Sequence, residues 1–130
     1  MKTKNVPSQL DLNYKVHTVE QLISGDLKGI SSLKISGNLS EFPREILELA
    51  DTLEVLDLSS NQLSTLPEDF SKLKKLRILF CSDNLFTTLP AVLGDCPALD
   101  IVGFKSNYIK AVTPQALNPN LRWLILTNNR

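Results

Sequence analysis

Leu53, Leu76 and Leu99 stand 23 residues apart, and each opens the same local pattern. From Leu53 the chain reads LEVLDLSSNQLSTLPEDFSKLKK, and from Leu76 it reads LRILFCSDNLFTTLPAVLGDCPA. A unit one residue shorter, LDIVGFKSNYIKAVTPQALNPN, starts at Leu99, and LRWLILTNNR starts at Leu121. Upstream, ISSLKISGNLSEFPREILELADT starts at Ile30 and keeps the plan with a small shift. A chain that repeats itself at this period folds by stacking. Each unit is too small to bury its own apolar face and covers it with the next copy.

Counted from its first residue, each unit has apolar side chains at positions four and six. Position four is Leu33, Leu56, Leu79, Val102 and Leu124; position six is Ile35, Leu58, Cys81, Phe104 and Leu126. Residues two apart in an extended chain point to one side, so each pair marks a short strand with one buried face. Position nine is always asparagine: Asn38, Asn61, Asn84, Asn107 and Asn129. Its amide carries donors and an acceptor together. At one level of a stack it would bond the backbone where each strand turns away, as a structural ladder. Position eleven is apolar at Leu63, Phe86 and Ile109, and a proline step follows at Phe42-Pro43, Leu66-Pro67 and Leu89-Pro90. Proline donates nothing to a sheet, so this half of the unit reads as an irregular or short helical turn. Ile46, Phe70, Leu93 and Leu117 are expected to close the core there, with Leu49, Leu73 and Cys96 three residues after the first three.

The LxxLxLxxNxL runs and the NxLxxLP form resemble the leucine-rich repeat superfamily over about residues 30 to 130. The form looks like that of intracellular and bacterial members. The resemblance implies an α/β fold: a right-handed solenoid bent into a horseshoe arc. A parallel sheet would line the concave side, with short helices, 3-10 turns or extended segments on the convex side. It also implies a scaffold that binds other molecules rather than transforming them.

The repeats occupy 30–130, starting near Ile30, Leu53, Leu76, Leu99 and Leu121, with the last one cut short. Residues 7–29 read as a degenerate N-terminal capping repeat, or alternatively as an unrelated segment. Leu10 and Leu12 stand 23 residues before Leu33 and Ile35, but Lys15 replaces the asparagine. Thr18-Val19-Glu20-Gln21 has the form of a capping box, opening a short helix that Gly25 could end. Residues 1–6 are expected to be a flexible tail.

With 14 basic and 14 acidic residues the net charge is zero, and no basic stripe points to nucleic acid. No apolar run reaches the roughly 18 residues that span a bilayer, and no apolar stretch follows Met1-Lys2-Thr3-Lys4 as a secretory leader requires. Cys81 and Cys96 take the places of core leucines and read as small buried hydrophobes. Extracellular members of the resembled family carry disulfide-stapled caps, absent here, so a reducing cytoplasm is the expected location. Zinc wants four ligands; one histidine and two separated cysteines give no metal site. No cofactor is expected. The five glycines form no phosphate-cradling motif, and His17 has no nucleophile at a recognisable spacing. The expectation is a chain that is not an enzyme.

The strand residues facing away from the core would line the concave face in columns roughly 4.8 Å apart. Position two reads Ser31, Glu54, Arg77, Asp100 and Arg122. It is a charge ladder, or an arrangement that merely separates like charges. Val55, Ile78 and Ile101 precede Trp123 at position three, and Lys34, Asp57, Phe80, Gly103 and Ile125 fill position five. Val55, Ile78, Phe80, Ile101, Trp123 and Ile125 are therefore the candidate partner-binding patch, with Gly103 leaving a notch beside Phe80. Ser59, Ser60, Ser82, Asp83, Lys105 and Ser106 would form a polar rim. The competing reading is that position three is half covered and purely structural.

The last strand is expected to have a bare edge, covered by further repeats or by a homodimer across a two-fold axis. The run DTLEVLDLSSNQLSTLP, the segment LRILFCSDNLFTTLPAVLGDCPAL and LRWLILTNNR are similar to the N-terminal repeats of bacterial leucine-rich repeat proteins that carry a serine/threonine kinase-like domain. None of the kinase signatures is present in this chain. The expected function is a protein-interaction module that binds an as yet unnamed protein partner through the concave face. The alternatives are a recognition or regulatory fragment of such a kinase, and a secreted bacterial effector.

Overall fold

The computed structural model describes residues 15–129. The expectations for residues 1–6 and for Leu10 and Leu12 lie outside the described residues. Five short strands, β1 (Ser32–Lys34), β2 (Val55–Asp57), β3 (Ile78–Phe80), β4 (Ile101–Gly103) and β5 (Trp123–Ile125), form one parallel sheet in chain order. The register is in phase throughout: Leu33, Leu56, Leu79, Val102 and Leu124 face one another in succession, so each position of the repeat becomes a column.

The return path of each repeat holds a 3-10 turn: Arg44–Leu49, Glu68–Lys72, Ala91–Asp95 and Pro114–Ala116. Pro43, Pro67 and Pro90 immediately precede the first three turns. Proline fixes φ and lacks an N–H that would be orphaned at a helix start, so it sets the turn without weakening it. The core lies between sheet and turns. It contains column four, column six as far as Phe104 with Leu126 half-buried against it, the repeat-opening Leu53, Leu76 and Leu99, and Leu63, Phe86 and Ile109. Two edge-to-face aromatic pairs bridge adjacent repeats, Phe42 with Phe70 at 5.6 Å and Phe86 with Phe104 at 4.9 Å.

Column nine locks neighbouring repeats together. The Asn84 amide nitrogen donates to the carbonyls of Leu58 and Cys81, while its oxygen accepts from the N–H of Leu63. Asn61, Asn107 and Asn129 repeat this set one unit away. The carbonyls of Leu58, Cys81 and Phe104 thus each receive two amides, one from their own repeat and one from the next. Just before the asparagine the backbone turns left-handed at Ser60, Asp83, Ser106 and Asn128.

Two expectations need correction. Leu117 is 43% exposed, and Ala116 is buried in its stead. Ala116, like Phe70 and Leu93, is the eighteenth residue of its unit, so the residue missing from the fourth repeat is lost after it. Asn38 is exposed, and the first buried rung is Asn61. The reason lies in the unit before it. The N–H of His17 donates to the Lys34 carbonyl, the bond that Ile35 makes to Asp57 and Leu58 makes to Phe80. His17 therefore makes the bond of position six. Only 18 residues separate His17 from Ile35, against 23 between Ile35 and Leu58, so among the described residues no full loop wraps beside Asn38.

A helix, α1 (Val19–Ser24), fills the shortened unit. Thr18 accepts from the Gln21 N–H, and the Gln21 side chain accepts from the Thr18 N–H. Gly25, at φ 86°, takes the left-handed cap that glycine adopts at little cost. Leu22 is the face that α1 buries.

Candidate functional site

Alternation along β1 to β5 turns positions three and five toward the open face of the sheet, opposite the core columns. The position-two charges flank them and sort into pairs rather than a continuous ladder. Arg77 Nε lies 3.2 Å from Glu54 Oε1. Arg122 holds Asp100 with two bonds, at 2.6 and 2.7 Å. The Arg122 hydrogen bond keeps the Asp100 carboxyl below the usual carboxylate range, and Asp100 raises the guanidinium in return. The Arg122 guanidinium also lies 4.6 Å from the Trp123 ring centroid, at cation–π distance. In column five, Lys34 Nζ is 4.0 Å from Asp57 Oδ2, and Asp57 Oδ1 accepts from the Ser59 N–H. Asp57 is only 8% exposed.

The apolar patch is smaller than the sequence implies. Ile78 and Ile101 are each 3% exposed, although they lie apart from the main core. Each has an apolar neighbour on either side in the register, Val55 and Ile101 for Ile78, Ile78 and Trp123 for Ile101. Flanked in this way, they are hidden within their own column. Val55, Phe80, Trp123 and Ile125 are half-buried and remain presented. The notch at Gly103 is filled: a Cβ there would lie 2.7 Å from Phe80 Cδ1. Gly103 is what lets the Phe80 ring lie against β4.

Beside that ring the face opens into a pocket of about 230 Å³, lined by Asp57, Ser59, Phe80, Ser82, Gly103, Lys105 and Ile125. Its floor is apolar, with Asp57 on the β2 side and Lys105 past the end of β4. The sequence placed Lys105 only in a polar rim and gave Asp57 no role. The opposite signs of Lys34 and Asp57, adjacent in column five, were the signal for their pairing.

Among the described residues no three His, Cys, Asp or Glu side chains gather as a metal cluster. Both thiols are buried. Burial pushes Cys81 up strongly and Cys96 to about 11, so neither is a ready thiolate.

Residues 51–94 match the family described as leucine-rich repeats, in two copies. The chain is 38% identical over 79 residues to a protein phosphatase PHLPP-like protein of Drosophila melanogaster, covering 59% of this chain and 8% of that protein. It is 38% identical over 66 residues to a probable serine/threonine-protein kinase, roco9, of Dictyostelium discoideum, covering 50% and 2%. A solved leucine-rich repeat protein of Leptospira interrogans superposes with a TM-score of 0.71 at 28% identity, covering 82% of this chain and 27% of that one. These repeats are leucine-rich repeats. The leucine-rich repeat chain spans less than a tenth of the length of the two curated relatives named, and kinase-linked proteins are among its relatives. Within the leucine-rich repeat fold the pocket and the half-buried aromatics lie on the sheet face, whereas the asparagine ladder lies at its edge and serves the stack. Among the described residues no helix is long and apolar enough to cross a membrane.

Proposed function

We propose that this leucine-rich repeat domain binds a protein partner through its sheet face and carries no catalytic machinery of its own. The observation that supports it is the open pocket beside Phe80, with Val55, Trp123 and Ile125 half-buried on the same face and ion pairs around them. Apolar anchors inside a polar rim are the anatomy of a protein interface, and Trp is a favoured hot spot. Two buried thiols and no disulfide suit a reducing cytoplasm.

The test compares the wild-type chain with Phe80→Asp/Trp123→Glu in capture from a host lysate, each preparation checked for mass by light scattering. Loss of a specific partner from the double variant, with melting unchanged, is the expected result. Retention of every partner would overturn the reading. A wild-type dimer that the variant dissociates would assign the face to self-association instead.

A second reading draws on the relatives, one named a protein phosphatase and another a probable kinase, each far longer than the matched segment. On this reading the chain is the recognition part of a signalling enzyme, such as a bacterial leucine-rich repeat kinase, whose catalytic domain lies elsewhere. An in-frame catalytic domain in the genomic sequence after Arg130 would support it; a stop codon there would refute it for a domain on that side.

A further inference from the structure

Among the ionic side chains at positions two, five and seven, three pairs neutralise themselves: Lys34 with Asp57, Glu54 with Arg77, and Asp100 with Arg122. Lys105, at position seven after β4, has no counter-charge among the described residues. It lines the pocket whose floor is Phe80, Gly103 and Ile125. Of the charged side chains that line the recess, Asp57 is paired with Lys34 and Lys105 is not paired, while Asp83, the rim acid that also forms no ion pair among the described residues, does not line it. A recess of this size takes one side chain rather than a drug-sized molecule, since ligand cavities run from roughly 300 Å³ upward.

We infer that the partner presents an extended acidic peptide segment. One apolar side chain would enter the Phe80–Ile125 recess, and a neighbouring Asp or Glu carboxylate would meet Lys105. The inference rests on the reading of the sheet face as the binding surface and names the chemistry of what binds there. The apolar anchor supplies affinity by leaving water. The carboxylate supplies selection, because a partner with Lys or Arg at that place would set two cations side by side at the edge of a desolvated pocket. Asp57, already engaged by Lys34 and the Ser59 N–H, closes the opposite end and disfavours a second acid there.

The experiment selects binders to the wild-type chain from a phage-displayed library of random linear peptides, then measures synthetic versions by calorimetry. Selected peptides are expected to carry Asp or Glu next to a Leu, Ile, Met or aromatic residue. Lys105→Glu should weaken them about tenfold or more, as loss of a charge-assisted bond does, and Lys105→Arg should keep them. A peptide with its acid changed to Lys should prefer the Lys105→Glu chain. Lys105 is exposed, so unchanged circular dichroism and melting are required of both variants. Peptides that Phe80→Asp abolishes but that show no acidic bias, or bind Lys105→Glu equally well, would overturn this inference and leave the binding face standing. Peptides indifferent to both substitutions, or a library without binders, would overturn both.

Discussion

Replacing the Asn84 side chain by a methyl group would leave the buried N–H of Leu63 without an acceptor. It would also remove one of two amides from the carbonyls of Leu58 and Cys81. An orphaned buried donor costs about 1–3 kcal/mol, and Asn84→Ala should lose that much in urea denaturation. Asn38→Ala, exposed, should lose only a few tenths. The contrast marks what the sequence could say at this scale. All five asparagines look alike as letters. Which of them is buried depends on whether a full loop wraps beside it, and Asn38 lacks one. Ile78 and Ile101 were misread for a related reason: alternation tells which face a side chain points to, while its neighbours decide how much of it water can reach. His17 gives a pH signature. Burial and Lys15 lower its pKa, so the folded state resists protonation that the unfolded chain accepts near its usual value of about 6.5. Stability is therefore present in full above that value and falls as pH drops from it toward the lower folded pKa. Denaturation midpoints at neutral and mildly acidic pH should converge in His17→Gln.

At the scale of elements, α1 is written locally, in a cap at Thr18, a reciprocal Gln21 and a stop at Gly25. Thr18→Ala should cost about 1 kcal/mol, read as a lower melting midpoint with the sheet otherwise intact. The convex turns depend more on their neighbours. A Cβ on Gly94 would overlap the carbonyl oxygen of Gln115, so the turn at Pro114–Ala116 lies directly against the one at Ala91–Asp95. Gly94→Ala, usually a helpful change in a helical turn, should instead destabilise by about 1–3 kcal/mol through overpacking. Unchanged melting would show that the two turns can part. This close approach was not legible beforehand. The short fourth repeat announced a missing residue but not its place, and the position of Ala116, small and buried, resolves that only in three dimensions.

For the whole molecule, the sheet, its strand order and its core columns were legible because one 23-residue rule is stated several times over, and errors in one copy are corrected by the others. Leu58 lies at the centre of that order, fully buried between repeats. Leu58→Asp should abolish cooperative unfolding, because the carboxylate has no partner in the core; a soluble variant with normal melting would mean the register is wrong. The binding face was legible as a face but not as a site. Its columns are free of the repeat rule, so only one copy of each signal exists, and the pairing of Lys34 with Asp57 and the place of Lys105 at the recess emerge from packing.

Across repeats the asparagine bonds reach back no further than the preceding unit, 26 residues to the carbonyl for Asn61, Asn84 and Asn107 and 25 for Asn129. Length is thus a variable that inheritance can change without redesigning anything. A duplication or loss of 23 residues in frame re-creates every junction it disturbs, and the return path absorbs even a single lost residue, since Asn129 keeps its rung to the Phe104 carbonyl over 25 residues. The gene can grow or shrink by whole turns of the coil, and each added turn extends the recognition face by one new row of residues that owes nothing to the stack.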